Sequence, residues 1–447
     1  MIPYGKAQSF ARRISMENQT NEKELVVTEQ AAQIQQTPQE EQPLQTLPTE
    51  NSAMKRCLDA VKGFLIKYEF ALLFIAITIM TMLVRFALFD GRSGDYNGFL
   101  SEWFNTIKAE GPLKALGHKI GDYTPAYFYI LTILTFIPVS SLVSIKFVSC
   151  IFDIVLAIAV CLCVKELTKS KWKTFAAYAI VLLMPSVFLN SGAWAQCDSI
   201  FTSFCIWSLY FLLKKKNVTA VIMYGIAFAF KLQAIFMAPL FAVMWFKGKI
   251  PLWSPLLVVG VYVLFCVPSW LCGRSLWSLL TVYFDQAGSY RMLTLFATTF
   301  VALFGKVSMN SNSHHVDRVS TMLIMLALTV TILLIYLCAR KTKWKRESAI
   351  DFAYLFCLIV PFFLPHMHER YFYLATLVSI VYSFLHPKRI YAAAISEFCA
   401  FYVVCNHLYT INYLSLQIVT MIQVANIVLL LRDLWKDYIV NGANENA

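Results

Sequence analysis

The stretch Pro365-His366-Met367-His368-Glu369-Arg370-Tyr371 concentrates more chemistry than any other part of the chain. Two histidines, a carboxylate and a guanidinium fall within five residues, between apolar runs at 350–365 and 371–385. Polar groups at the mouth of a membrane helix are costly to desolvate, so function is their default explanation. A guanidinium grips phosphate through parallel N–H bonds, and a histidine neutralises or protonates a leaving oxygen. His-x-His-Glu also supplies metal-ligand types, but no HExxH spacing is present and a phosphate partner accounts better for Arg370. No metal and no cofactor is therefore expected. Plain interfacial anchoring is the competing structural reading.

Two acids stand in the first long loop. Asp95 follows Ser93-Gly94 and reads either as a helix N-cap or as a general base facing an acceptor hydroxyl. Asp122, in Gly121-Asp122-Tyr123-Thr124-Pro125, reads as a turn acid before a proline-started helix. Its functional alternative is a second carboxylate that positions the acceptor or tunes Asp95. Lys146 and Asp153 share one helix face, which predicts an ion pair between them or a contact to a lipid phosphate. Lys231 and Gln233, between two apolar runs, raise the same choice. Trp194, Gln196 and Asp198 read as an interface aromatic with loop polars, or as further substrate contacts.

The elements that must position these residues are membrane helices. The 447 residues are 58% hydrophobic and only 14% charged, against about one-quarter charged in a soluble domain. Apolar blocks of roughly 15–23 residues are long enough to cross a hydrocarbon core. The reading is an all-α polytopic membrane protein with about 12–13 transmembrane helices. The net charge of +12 sits in short loops and sets orientation, so no nucleic-acid partner is implied. Cysteines such as Cys150, Cys161, Cys163 and Cys357 lie within apolar runs and read as small buried hydrophobes.

Residues 1–54 are rich in Gln, Glu and Thr and lack the apolar core of a signal peptide, which predicts a disordered tail. Lys55, Arg56, Lys62 and Lys67 then precede a first span at about 69–89 and place the tail in the cytoplasm. Basic loops at 165–173, 214–216, 247–249, 340–346, 388–389 and 432–436 fall on the same side. That leaves 90–123, 194–198, 231–233, 273–316, 366–370 and Asn406–His407 on the external side. The short run 124–138, bracketed by Pro125 and Pro138, reads as a partial or re-entrant helix; the alternative is a thirteenth crossing. Tyr96, Phe99, Leu100, Trp103, Phe104 and Ile107 make an amphipathic helical stripe, expected to lie in the membrane interface. The segment 273–316, with Trp277, Tyr283, Phe284, Tyr290 and Arg291, reads as a surface helix or lid.

With these residues in place, the chain resembles the GT-C class of integral-membrane glycosyltransferases over about 69–435. Ser93-Gly94-Asp95-Tyr96 through Trp103 is similar to the start of that class's first external loop. Asp122-Tyr123-Thr124-Pro125 resembles the Asp-Tyr-Pro-Pro element of the glucosyltransferases that build the N-glycan lipid precursor. His366-x-His368-Glu369-Arg370 is similar to their His-x-His-Glu-Lys element. Trp194-x-Gln196-x-Asp198 recurs in bacterial proteins related to the GPI-anchor mannosyltransferase that adds the second mannose, the nearest resemblance overall. Thr124 stands where the glucosyltransferases carry a proline, and Arg370 where they carry lysine.

The resemblance implies a glycosyltransferase domain over 55–440, with 90–123 as its catalytic loop. It implies transfer of a hexose, mannose by preference, from a polyprenyl-phosphate sugar to a glycan, lipid or protein hydroxyl outside a bacterial cell membrane. The implied step inverts the anomeric centre, with Asp95 as base and His366, His368 and Arg370 on the departing phosphate. Asp122 would assist, and Glu369, Lys146, Asp153, Lys231, Gln233, Trp194, Gln196 and Asp198 would contact substrate. A lipid-linked oligosaccharide flippase is the alternative from another class, and needs no carboxylate opposite a His/Arg cluster. A polysaccharide polymerase would favour a broader arginine-lined cavity.

Overall fold

The computed structural model describes residues 50–288, 292–304 and 314–441. The expected tail 1–54 lies outside the described residues except for 50–54, and Tyr290 and Arg291 lie outside them too. The chain divides into two units, Met1–Lys67 and Tyr68–Ala447. The described part of the first is the opening of the helix Glu50–Phe86, which begins well before residue 69, where the first span was expected. The second unit carries the site.

That unit is almost wholly helical, as the apolar blocks require. Among the described residues six helices are long and apolar enough to cross a membrane, and a seventh forms if the bent pair Lys171–Leu183 and Pro185–Ala193 is one span. Six further apolar helices have 10–17 residues. Among them Pro125–Leu134 has ten residues, so it is about 15 Å long and reaches halfway through a hydrocarbon core. Its residue Tyr129 fills a gap elsewhere. Pro268 lies inside the helix Ser254–Leu271, and beside it the Tyr129 hydroxyl donates to Phe265 O (2.7 Å) and accepts from Ser269 N (3.1 Å).

The bend of 47° near Pro185 delivers the site's central segment. Proline interrupts the backbone ladder and leaves the next turn's donors free. Glu397, on the helix Tyr391–Tyr409, accepts from both Ser186 N (2.9 Å) and Ser186 Oγ (2.5 Å). The chain then widens into a π-turn, Leu189–Ala193, and reverses at Ala195 with φ +66°. Gly192 lets this turn pack closely on the first span, since a Cβ would lie 3.3 Å from the Arg85 carbonyl oxygen.

Helix contacts use small residues, as expected where lipid competes for apolar surface. Ala157, Ala159, Cys163, Ala177 and Ala353 are all fully buried in the main core. All twelve cysteines are free, and only Cys57 and Cys272 are not buried. Basic loops assigned to one side do meet one another. Glu166 accepts from Lys169 (3.0 Å), Lys214 (3.4 Å) and Arg346 (2.9 Å).

The aromatic stripe of the first loop forms the expected helix, as a π-turn Tyr96–Leu100 continued by Ser101–Glu110. Its environment differs from the expectation. Tyr96, Leu100, Trp103, Phe104 and Ile107 are buried in a second core with Tyr127, Phe128, Leu131 and Ile145. The half-length helix 125–134 leaves room under the loop, and the stripe fills it with protein contacts. The described part of 273–316 contains two short helices, Leu276–Leu280 and Val282–Gly288, a strand Thr294–Leu295 and a 3-10 turn Phe300–Phe304. That strand pairs in parallel with Met367–His368, an element the sequence did not announce.

Candidate active site

Asp95 enters the site free of capping duty. Ser93 takes that role: its Oγ accepts from Tyr96 N (3.1 Å) and donates to Trp194 O (2.7 Å). Asp95 makes no side-chain cap bond. Its Oδ2 accepts instead from Gln196 Nε2 (2.5 Å), Trp194 Nε1 (3.1 Å) and an Arg370 guanidinium nitrogen (3.4 Å). The N-cap reading is therefore replaced by one in which three donors aim the carboxylate. Trp194 is fully buried, with Arg370 over its ring at 5.4 Å and His407 stacked on it at 4.6 Å. It is no interface aromatic.

The turn that carries Asp122 is pressed against Trp103. A Cβ at Gly121 would lie 2.3 Å from the indole, so only glycine fits. Thr124, the departure from proline, donates to Phe230 O (3.1 Å) and ties this turn to the residue before Lys231. Lys231 Nζ lies 5.3 Å from the Tyr123 ring centre and donates to Asp198 Oδ1 (2.5 Å). Asp198 Oδ2 accepts from Asn190 (2.9 Å) and pairs with Arg370 Nε at 3.7 Å.

The histidine motif is held by the 292–295 segment. His366, at φ +61°, donates its backbone N–H to Leu293 O (2.9 Å), and its Nδ1 bonds Met292 O (2.9 Å). A carbonyl only accepts, so Nδ1 carries the proton of this bond and Nε2 is the nitrogen left for a ligand. Burial pushes His368 down to about 3, helped by the positive charge of Arg370 and Lys231. It is therefore a neutral ring at physiological pH. Burial raises Glu369, opposed by Arg370, whose guanidinium donates to it at 3.0 Å.

One cavity of about 450 Å³ gathers these groups. Asp95, Asp122, Gln196, Lys231, Gln233, His366, His368, Glu369 and Arg370 all line it. Four other expected contacts stand behind the wall or away from it. Trp194 and Asp198 are buried braces for Asp95, Lys231 and Arg370. Lys146 and Asp153 are buried and pair with neither each other nor the cavity. Lys146 Nζ donates to the carbonyls of Leu88 (3.0 Å), Phe89 (3.0 Å) and Gly91 (2.6 Å). Asp153 binds Arg85 Nε (2.8 Å), Ser191 Oγ (2.5 Å) and Ser199 Oγ. Seven residues of helix rise about 10.5 Å, which lets each charge find a nearer partner.

Sequence reasoning passed over Arg85, His407 and Gln286. An arginine inside the first apolar span was signal enough for Arg85. His407 and Gln286, which also line the cavity, carry no spacing signal. Among the described residues no three His, Cys, Asp or Glu side chains converge as metal ligands do.

Residues 122–272 match the family model described as dolichyl-phosphate-mannose-protein mannosyltransferase, about a third of the chain. No curated protein matches the chain. The match and the polytopic helical fold support a mannosyltransferase-like membrane glycosyltransferase of GT-C type. The matched stretch carries Asp122, Gln196, Lys231 and Gln233; Asp95 and 366–370 lie outside it, joined to it through the shared cavity.

Proposed function

We propose that the protein transfers a neutral hexose, mannose by preference, from a polyprenyl phosphate to an acceptor hydroxyl on the non-cytoplasmic face. The observation that carries this is the meeting of Asp95 with His366, His368 and Arg370 around one cavity, from segments more than 270 residues apart. A flippase has no need of a carboxylate aimed across from a phosphate-binding cluster.

In the proposed step the acceptor hydroxyl gives its proton to Asp95 as its oxygen bonds the anomeric carbon. The carbon–oxygen bond to phosphate breaks, its electron pair leaves on the phosphate oxygen, and the anomeric centre inverts. Trp194, Gln196 and Arg370 occupy Oδ2, which leaves Oδ1 for the proton. Arg370 is held by Glu369 at 3.0 Å but only loosely by Asp95 and Asp198 (3.4 and 3.7 Å), and its Nε makes no hydrogen bond, so that edge is poised to turn onto phosphate. The negative charge of the departing phosphate would offset that of Arg370 and favour proton uptake by His368.

The test is incubation of purified protein with radiolabelled polyprenyl-phosphate hexoses and recovery of label in an acceptor. No transfer from any of them would refute the reading. The face is tested in a cysteine-depleted background. Tyr413→Cys, strongly exposed in the loop that follows the His407 helix Tyr391–Tyr409, should react with an impermeant thiol reagent from outside, and Lys215→Cys should not. The reverse pattern would put the site on the cytoplasmic face.

A further inference from the structure

Among the described residues, the cavity wall contains two buried amide oxygens with no hydrogen-bond partner. Gln233 lies in the 3-10 turn Leu232–Met237 and is 5% exposed. Gln286 lies on Val282–Gly288, in the second long loop. Both line the cavity, and the amide oxygen Oε1 of each is buried without a hydrogen-bond partner. A buried acceptor left unmet costs about 1–3 kcal/mol, so such groups call for an explanation.

The unmet groups of the cavity fall into two chemical kinds. Arg370 Nε is a donor without an acceptor, and phosphate consists of acceptors. Phosphate cannot satisfy an amide oxygen, because an ionised phosphate has no proton to donate. A sugar hydroxyl can. Carboxylate or ammonium groups on a sugar would gain no ion pair from two neutral amides.

We infer that Gln233 and Gln286 are specificity-determining residues that accept hydrogen bonds from hydroxyls of the transferred neutral hexose. This rests on the glycosyltransferase reading and extends it. It assigns the sugar subsite to the wall formed by 232–237 and 282–288, leaving Arg370 and the histidines for the phosphate. It also gives the second long loop a direct part in sugar choice.

The experiment compares wild type, Gln233→Leu and Gln286→Leu on the best polyprenyl-phosphate hexose and on analogues each lacking one ring hydroxyl. A site built to bond a hydroxyl rejects the analogue lacking it. Wild type should use at least one analogue about ten- to a hundredfold less well in kcat/KM. One leucine variant should lose about that factor on the parent sugar while losing little on that analogue, so the discrimination collapses. Gln286→Glu keeps the acceptor oxygen and should keep the discrimination, which separates hydrogen bonding from mere packing. Discrimination that persists unchanged in both leucine variants, or analogues used as well as the parent by wild type, would overturn the assignment. If the leucine variants do not fold, Gln233→Ala and Gln286→Ala carry the same comparison. Absence of transfer by wild type from every donor would instead refute the underlying glycosyltransferase reading, and the assignment with it.

Discussion

Arg85, buried, and Arg370, partly buried, both face aspartates, yet one pair is closed and the other open. Arg85 meets Asp153 at 2.8 Å with side chains 1% and 0% exposed. Two of its nitrogens are bonded, NH1 additionally to Thr81 O (3.1 Å) and Leu182 O (3.0 Å), and both oxygens of Asp153 have partners. Arg370 reaches Asp95 at 3.4 Å and Asp198 at 3.7 Å, and Asp95 is 26% exposed to the cavity. The first arrangement leaves only Nη2 of Arg85 without a hydrogen-bond partner, lies off the cavity, and locks the first span to the helices behind the site. The second leaves hydrogen-bonding capacity for a ligand. In a low-dielectric interior that unspent capacity, more than charge itself, separates a working cluster from a brace.

Removing one partner of the closed pair should have the largest effect on stability. Asp153→Ala strands a buried guanidinium and should destabilise the fold by about 3–5 kcal/mol, read as a lower unfolding temperature in detergent. Replacing both partners, Arg85→Met with Asp153→Leu, should recover most of that loss. If the single variant unfolds like wild type, the pair is no brace.

Arg370→Ala should act on function first. Loss of a charged phosphate contact should weaken donor binding by about 1.5–3 kcal/mol and lower turnover too, because the contact exists in ground and transition states. Unaltered retention of radiolabelled donor would place the phosphate elsewhere.

The smallest effect is one of pH. His368 titrates at about 3 in the folded chain against an ordinary 6.5, so the folded state resists a proton that the unfolded state takes. Its contribution is present above pH 6.5 and falls away as pH drops through that value towards 3. Unfolding temperature should therefore decline between pH 7 and pH 5, and less steeply in His368→Gln. Equal slopes would contradict a buried neutral ring.

The parts of this site legible in the sequence were those that violate local composition. His366, His368, Glu369 and Arg370 stand out because charge inside apolar sequence is costly, and Asp95 and Asp122 because they flank an aromatic stripe. Helix type was legible for the same reason, since apolar blocks of that length admit little else. Partners were not legible. Asp153 lies 68 residues from Arg85, and nothing local says that Lys146 prefers three carbonyls at the end of the first span. Nor does periodicity reveal that the aromatic stripe faces protein. The short helix 125–134 makes the space, and only packing shows it.

The central claim is that Asp95 is the base, and Asp95→Asn tests it most directly. Asparagine keeps the shape and an acceptor oxygen for Gln196 and Trp194 but cannot take a proton. Since Ser93 already caps the helix, capping supplies no reason for loss or rescue. The substitution should cut transfer by about 10²–10⁴-fold, or roughly 3–5 kcal/mol of barrier, while radiolabelled donor is still retained. Near-normal transfer by Asp95→Asn would contradict the account and move the base to Asp122, which lines the same cavity.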